Sequence, residues 1–215
     1  MTSRPVPSGP HRVDARRKIL DAAFSVIRAK GYSAATVDDL CAAAGVTKGA
    51  FFHHFESKEA LGVAAADHWS EVTGALFAAA PYHKLADPLA RVLGYVDFRK
   101  ALLSGAVADF TCLVGTMVQE VYDSHPAIRA AAERSIVDHA SHVARDIDAA
   151  MKTRGMKPEW TAESLALHTQ AVLQGAFILA KATGGAAVAE EMIDHLRRYV
   201  TMLFGRDAAR ERTAA

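Results

Sequence analysis

Three side chains in the second half of the sequence have the spacing of a metal site. His139, His142 and Asp146 fall at positions i, i+3 and i+7, so a helix would place them on one face. Imidazole and carboxylate groups on one face can bind a transition metal. The same segment carries further charges, including Arg145 and Asp148. We therefore interpret it as a solvated polar face and predict no metal and no cofactor.

The sequence lacks the motifs of several common catalytic sites. It contains no glycine-rich phosphate loop, no serine elbow and no HExxH pair of histidines. Glu191 and His195, four residues apart, are most simply a surface pair on one helix. We therefore predict that the chain is not an enzyme.

Two cysteines offer another kind of chemistry. Cys41 and Cys112 are too few for a disulfide framework, so a reducing, cytoplasmic environment is the default expectation. A cation or a helix N-terminus near Cys112 would raise its thiolate fraction and make it reactive. The alternative is an inert, buried thiol that packs like alanine, and the sequence leaves both open.

The stretch from Thr36 to Leu61 contains a helix-turn-helix pattern. Thr36 and Thr47 can each cap a short helix through the side-chain hydroxyl, and Ser57 can cap a third. Gly45 ends the first helix because the sharp turn needs a left-handed backbone, which glycine adopts at little cost. Two short helices joined by such a turn must cross, as a helix-turn-helix requires.

The second helix of this pattern, 48–55, begins with small or cationic residues. Lys48, Gly49 and Ala50 would let the start of the helix approach the floor of a DNA groove closely. Phe51 and Phe55 are four residues apart and would anchor the helix to the core of its domain. The remaining side chains fall partly on the other face: Phe52, His53 and His54.

Charge is unevenly distributed along the 215 residues. Residues 1–61 contain nine Lys or Arg and six Asp or Glu, a net charge of +3; this leaves 16 of the 25 bases and 18 of the 24 acids, a net charge of −2, for the remainder. Arg16, Arg17 and Lys18 lie near a helix start, where they oppose the helix dipole, which indicates another use such as phosphate binding. With 51% hydrophobic residues and no long apolar run, we predict a globular chain without a membrane partner.

The sequence around the second helix resembles a known family. The segment GVTKGAFFHHFESKEAL is similar to the recognition segment of TetR-family transcriptional repressors, and the resemblance runs from about Ala15 to Leu61. Two positions depart from the family pattern: Phe52 replaces a tyrosine that usually contacts a backbone phosphate, and Cys41 replaces an alanine. The segment 111–114 also resembles a cysteine-containing segment in TetR repressors that respond to electrophiles and oxidants, including the repressor of N-ethylmaleimide reductase.

The residues and the resemblance together predict a DNA-binding surface. Lys48, Gly49, Ala50 and His53 are predicted to lie nearest base edges, with Lys48 preferring the O6 and N7 atoms of guanine. The remaining contacts are predicted to hold phosphate or register: Arg16, Arg17, Thr36, Thr47, Phe52, His54 and Lys58. One short helix reaches few base edges, so we expect a dimer whose recognition helices are about 34–36 Å, or a multiple, apart on a palindromic operator.

The rest of the chain predicts helices without strands. Start and stop signals place helices at about 14–30, 57–79, 88–103, 107–122, 126–153, 160–183 and 187–204. We predict an all-α fold with a disordered tail at 1–12, a three-helix N-terminal helix-turn-helix domain at 13–61, a C-terminal ligand-binding and dimerisation domain at 62–206 and a tail at 207–215. The helix at 57–79 begins at the DNA-binding end and continues into the second domain, so it could carry a signal between them.

Two sets of side chains complete the prediction. The last two helices carry apolar stripes that would form a four-helix dimer interface, as in the TetR family, although the stripes could also pack only inside the monomer: Leu165, Val172, Ala176, Leu179, Met192, Leu196, Tyr199, Val200 and Leu203. The middle of the chain is predicted to hold a small-molecule cavity, with these candidate lining residues: Trp69, Tyr95, Phe98, Phe110, Cys112, Met117, His168 and Phe177.

The sequence therefore predicts a homodimeric DNA-binding regulator. The simplest form is a repressor that a small-molecule inducer or an electrophile releases from a palindromic double-stranded operator. A transcriptional activator on the same scaffold would share every residue named here. An α-helical carrier or enzyme that uses the cavity, with a vestigial helix-turn-helix, is the remaining alternative.

Overall fold

Helices form all the regular structure in the part of the chain that the structure describes. The computed structural model describes residues 14–214, with side chains over 14–205, so the predicted tail at 1–12 lies outside the described residues. The helices are α1 (Ala15–Lys30), α2 (Val37–Ala44), α3 (Lys48–His54), α4 (Lys58–Ala78), α5 (Pro88–Ala101), α6 (Val107–Phe110), α7 (Leu113–Val121), α8 (Pro126–Thr153), α9 (Ala162–Thr183) and α10 (Ala187–Ala214), with a 3-10 turn at Pro81–Lys84. The prediction of an all-α fold is confirmed. Within this range, no helix combines the length and the apolar character needed to cross a membrane.

Each of the first four helices begins with a capping side chain, and the caps at Thr36, Thr47 and Ser57 were predicted from the sequence. The side chains of Asp14, Thr36, Thr47 and Ser57 accept hydrogen bonds from backbone amides of the following turn, at 3.3, 3.1, 3.1 and 3.0 Å respectively. Each bond satisfies an amide that has no partner inside its own helix. Gly45 has a φ angle of 63°, the left-handed conformation that turns α2 towards α3.

The N-terminal helices enclose a core that extends into the second half of the chain. Its fully buried side chains include Ile19 of α1, Leu40 of α2 and Phe51 of α3. Met117 of α7 and Ile128 of α8 belong to the same cluster. Because buried clusters are close-packed, a displacement of α7 must be accommodated inside the helix-turn-helix domain.

A second core is built mainly by α5, α8, α9 and α10. Val96, Ile147 and Leu173 are among its buried side chains. α4 connects the two cores, since Leu61 near its start is buried in the first cluster and Phe77 near its end is buried in the second. One helix therefore contacts both halves of the molecule.

Two helix boundaries differ from the sequence prediction. The predicted helix 107–122 is divided into α6 and α7 at Thr111 and Cys112, both of which have extended backbone. Cys112 begins the second piece, because its sulfur accepts a hydrogen bond from the amide of Gly115 at 3.4 Å. The last helix continues to Ala214, beyond its predicted end at Phe204.

Candidate DNA-binding surface and ligand cavity

α2 begins with a network of polar and charged side chains. The hydroxyl of Thr36 accepts from the amide of Asp39 at 3.1 Å, and the Asp39 carboxylate accepts from the amide of Thr36 at 3.0 Å, which is a capping box. The Lys30 ammonium donates to the same carboxylate at 2.6 Å. These bonds, led by the one from Lys30, lower the pKa of Asp39 to about 2. Thr36 is exposed, as a phosphate contact must be, while its hydroxyl caps the helix.

α3 presents its first residues to solvent and its phenylalanines to the core. Phe51 is fully buried, and its ring centroid lies 5.7 Å from that of Phe55, which is also buried. These two rings fix the angle of the helix against the domain. The residues at its start are exposed or partly exposed: Thr47, Lys48, Gly49 and Ala50.

The two lysines of the predicted surface are held differently. The Lys48 ammonium lies 2.8 Å from the carboxylate of Asp38 in an exposed pair, and this contact raises the pKa of Lys48. Lys58 is half-buried: it donates to the carbonyl of Ser33 at 3.2 Å and lies 4.5 Å from the centre of the Tyr32 ring. Burial lowers the pKa of Lys58. Lys48 can therefore turn from Asp38 towards DNA, whereas Lys58 also braces the turn between α1 and α2.

The aromatic residues of α3 outside its core face are accessible. Phe52 is 55% exposed, and its ring packs edge-on against Phe51 at 5.2 Å between centroids. His53 is exposed as well. His54 is partly buried, with its Nε2 atom 3.8 Å from the carboxylate of Asp14. The exposed ring of Phe52 is thus hydrophobic and has no phenol hydroxyl.

Two arginines of α1 flank the same surface. The guanidinium of Arg16 lies 5.5 Å from the centre of the Phe55 ring, beside the end of α3. The Nε atom of Arg17 lies 3.1 Å from the carboxylate of Asp21, and both side chains of this pair are about half exposed. The predicted DNA contacts therefore lie on neighbouring elements, α1 to the start of α4.

Sequence reasoning missed Glu120, which connects α7 to the helix-turn-helix domain. Its carboxylate oxygens accept hydrogen bonds from the backbone amides of Tyr32 and Ser33, at 3.2 and 2.8 Å. Both amides belong to the turn between α1 and α2, and a side chain at Gly31 would collide with the carboxylate. No local pattern signals this contact, because 88 residues separate Glu120 from Tyr32.

A cavity of about 170 Å³ lies between α1, α4 and the helices of the second half of the chain. Four of the predicted ligand residues line it: Trp69, Phe110, Cys112 and Phe177. Several polar lining residues were missed by sequence reasoning: Arg28, Arg99, Thr111, His139, Gln170 and Gln174. Cys112 lines the cavity and also lies at the N-terminus of α7, where its sulfur caps the helix.

The other four predicted ligand residues do not line this cavity. Tyr95 lines a neighbouring cavity of about 270 Å³. Phe98 packs against the second core, and Met117 is fully buried in the first. His168 is exposed, 5.0 Å between ring centroids from Tyr199 of α10. Helical spacing identifies a shared face, but it does not tell which neighbour packs against that face.

A chain of hydrogen-bonded side chains joins the two cavities. The amide of Gln170 donates to the Tyr95 hydroxyl at 2.9 Å, and this hydroxyl lies 3.0 Å from Nε2 of His139. Burial, aided by the charges of Arg99 and His142, lowers the pKa of His139 to about 3. The imidazole is therefore neutral at pH 7, and its Nε2 atom can accept a hydrogen bond from the Tyr95 hydroxyl.

The three residues with the spacing of a metal site are each engaged elsewhere. His139 contacts Tyr95, and the Asp146 carboxylate accepts from Arg91 at 2.6 Å. His142 contacts Arg145. Over the described side chains, no group of three or more His, Cys, Asp or Glu residues is placed to hold a metal ion.

The predicted interface residues divide between two faces of α9 and α10. Seven of them face the monomer interior, either buried in the second core or packed against it: Leu165, Val172, Ala176, Met192, Leu196, Val200 and Leu203. Leu179 and Tyr199 are exposed, at 42% and 44%. Three further apolar side chains of these helices are exposed: Leu167, Ile178 and Met202. Most of the predicted stripe thus packs inside the monomer, and the exposed apolar side chains lie beside it.

Comparison with known proteins agrees with this fold. Residues 19–65 match the model of bacterial regulatory proteins of the tetR family, and residues 88–196 match the model of the tetracyclin repressor-like C-terminal domain. A helix-turn-helix domain followed by a helical domain of this type defines a class of bacterial transcriptional regulators. The chain belongs to the TetR family.

Individual relatives are similar over part of their length. The repressor DhaR of a Mycobacterium species is 45% identical over 51 residues, 24% of this chain and 26% of DhaR. The transcriptional regulator AcuR of Cereibacter sphaeroides is 29% identical over 107 residues, 50% of this chain and 49% of AcuR. The chain thus matches between about a quarter and a half of these curated relatives.

Solved structures agree over most of the fold. A TetR transcriptional regulator from Chloroflexus aurantiacus superposes with a TM-score of 0.74 at 25% identity, covering 87% of this chain and 94% of that one. The reduced form of NemR from E. coli gives a TM-score of 0.74 at 20% identity, covering 86% of this chain and 96% of that one. The second similarity concerns the fold alone.

Proposed function

We propose that this TetR-family protein is a homodimeric transcriptional repressor that leaves its operator when a small molecule occupies the 170 Å³ cavity. One observation carries the proposal. The elements that line the cavity, α4 and the start of α7, are the same elements that hold the helix-turn-helix domain, through Leu61 and Glu120. A ligand in the cavity therefore acts on parts that also set the position of α3.

DNA recognition centres on the exposed start of α3. Lys48 donates to guanine acceptors in the major groove when it leaves Asp38, and the small residues that follow let the backbone come close. Arg16, Arg17 and the capping residues Thr36 and Thr47 bind DNA phosphates on both sides of α3. Phe51 and Phe55 support this arrangement, because buried rings keep the short helix at a fixed angle.

The second subunit supplies the other recognition helix. The exposed apolar face of α9 and α10, with Leu179 and Tyr199 in it, supports self-association through a two-fold interface. The two α3 helices then bind half-sites about 34–36 Å, or a multiple, apart. A ligand that favours a different separation shifts the dimer away from the DNA-bound state.

Cys112 supports a second route of release. Its sulfur caps α7 and lines the cavity, so alkylation by an electrophile would place a new group where the ligand lies. Treatment with N-ethylmaleimide, followed by mass spectrometry and DNA binding, tests this route. Release by the reagent that persists in Cys112→Ala would contradict it.

The experiment for the main proposal uses a duplex selected from a random pool by the protein itself. Fluorescence anisotropy should give tight, salt-dependent binding, and Lys48→Ala should weaken it and reduce its salt dependence. A reporter placed behind the selected site then distinguishes repression from activation. Failure to select any duplex would favour the carrier or enzyme alternative.

A further inference from the structure

Arg99 is a cation in the cavity wall that has no anionic partner among the described side chains. The carbon at the centre of its guanidinium lies 5.2 Å from the centre of the Phe77 ring and 5.6 Å from that of Phe177. Within residues 14–205, the guanidinium group of Arg99 forms no salt bridge and no hydrogen bond to another side chain or to a backbone carbonyl. The aromatic faces hold the guanidinium in place, and its N–H groups remain available to a ligand.

The other arginine of the cavity is already engaged. Arg28 donates through Nε to the carbonyl of Phe24 at 2.9 Å, and through Nη1 to the carbonyls of Asp109 and Thr111 at 2.8 and 3.3 Å. Asp109 is the one acidic residue of the described lining, and its carboxylate accepts from the amide of Ala106 at 2.8 Å. With His139 neutral, two cationic side chains face one carboxylate, so the cavity carries an excess of positive charge.

Thr111 is a buried polar residue of the cavity wall. It lines the cavity, is 1% exposed, and its hydroxyl has no hydrogen-bond partner within the described residues. Such unpartnered buried groups are uncommon in folded proteins. Because its oxygen has almost no accessible surface, this hydroxyl does not itself face the open space of the cavity.

The size and the remaining surface of the cavity restrict the ligand further. A dry protein cavity of about 150 Å³ is large enough to hold benzene, and this cavity has about 170 Å³. Trp69 and Phe110 add aromatic surface to the wall. The space therefore fits one ring or a short alkyl chain with a small polar group.

We propose that the cavity binds a small organic monocarboxylate of about the size of benzoate, with its carboxylate on Arg99 and its apolar body against the aromatic wall. This assignment rests on the proposed function, since it names the class of inducer. The planar guanidinium matches a carboxylate through two parallel N–H···O bonds. A neutral or cationic molecule of the same shape leaves Arg99 unpaired.

The test uses three probes of nearly equal shape: benzoate, benzamide and benzylamine. Isothermal titration calorimetry of each with the full chain at neutral pH should show binding of benzoate, about tenfold or more weaker binding of benzamide, and no binding of benzylamine. With Arg99→Gln, the affinity for benzoate should fall to the affinity for benzamide. Arg99→Lys should retain part of the preference, because it keeps the charge and loses the planar fork.

A matched control removes the same charge outside the cavity. Arg129 is exposed on α8 and does not line the cavity, so Arg129→Gln should bind benzoate like the unmodified protein. Circular dichroism verifies that each variant is folded. Equal affinity for benzoate and benzamide, no binding of benzoate at millimolar concentration, or unchanged benzoate binding by folded Arg99→Gln would overturn the assignment.

Anisotropy with the selected duplex separates this assignment from the proposed function. If benzoate binds through Arg99 but the protein binds no duplex, the ligand class stands and the regulatory function fails. If the duplex is bound and a neutral ligand releases it while benzoate does not, the function stands and the carboxylate assignment fails.

Discussion

The neighbouring phenylalanines of α3 allow the positions of core and surface to be tested by an alanine substitution at each. Phe51 is fully buried between α1, α2 and α3, whereas the adjacent Phe52 is 55% exposed. Replacing a buried phenylalanine by alanine costs roughly 3–5 kcal/mol in the free energy of unfolding, because the ring leaves a cavity. At Phe52 the loss is limited to the half-exposed ring and its edge contact with Phe51, which is worth about 1 kcal/mol.

We therefore expect Phe51→Ala to be less stable than Phe52→Ala by about 2 kcal/mol or more. For a chain of this size, 1 kcal/mol corresponds to roughly 2–4 °C in the melting temperature, so the two variants should differ by at least about 4 °C. Urea and thermal denaturation followed by circular dichroism provide both values.

Affinity for the selected duplex provides a second comparison of the two positions. Phe52→Ala leaves the anchor of α3 intact, so any loss of affinity for the selected duplex reflects contact with DNA. Phe52→Tyr serves as the matched control, because it adds the hydroxyl that the family resemblance of the sequence leads us to expect as a phosphate contact, and it should tighten binding without changing stability. Equal destabilisation by the two alanine variants would refute the orientation of α3 described above.

Three further predictions concern the interface, the contact between domains and the response to acid. Tyr199→Asp places a charge on the exposed face of α10, so it should shift the chain to a monomer in analytical ultracentrifugation and weaken DNA binding. An unchanged dimer would show that this face is not the dimer interface. Glu120→Gln removes an acceptor from the turn between α1 and α2, so hydrogen exchange of the Tyr32 and Ser33 amides should accelerate while α5 exchanges as before; an unaltered rate at the turn would contradict the role given to the carboxylate. Asp39 has a folded-state pKa lowered from 3.8 to about 2, so its stabilising effect should be complete above pH 4 and disappear as the pH falls towards 2. The difference in unfolding free energy between the unmodified chain and Asp39→Asn, measured across this range, should therefore shrink on acidification, and a constant difference would argue against the ion pair.

Local interactions explain why the N-terminal half of the fold could be predicted from sequence. Thr36, Thr47 and Ser57 cap helices through amides three residues ahead, and Gly45 turns the chain with its own backbone. Each of these interactions joins residues that are only a few positions apart, so the sequence pattern alone predicts it. The exposed start of α3 and its buried rings follow from the same helical period.

The parts that were missed depend on contacts between distant segments. Arg28 donates to carbonyls of Asp109 and Thr111, more than 80 residues away, and thereby supports a break in a stretch whose apolar pattern suggests one helix. Arg99 is a charged residue whose place in a cavity depends on Phe77 and Phe177. Spacing along one helix does not identify these neighbours.

The apolar faces of α9 and α10 show a second limit of predictions made from helical periodicity. α9 and α10 each have two apolar faces, one that packs inside the monomer and one that remains accessible. Leu173 and Val200 lie on the inner face, whereas Leu179 and Tyr199 lie on the outer. A hydrophobic stripe in the sequence does not identify the partner that covers it. Seven of the nine predicted interface residues pack against the core of the monomer, which is one of the two arrangements that the sequence leaves open.

The central claim is that two α3 helices, one from each subunit, bind successive turns of one duplex. The most direct measurement is sedimentation of the protein with its selected duplex, compared with a duplex carrying an insertion of about five base pairs, half a helical turn, between the half-sites. The account predicts complexes containing an even number of chains on the original duplex and a large loss of affinity on the altered one. One chain per duplex, or equal affinity for both duplexes, would contradict it.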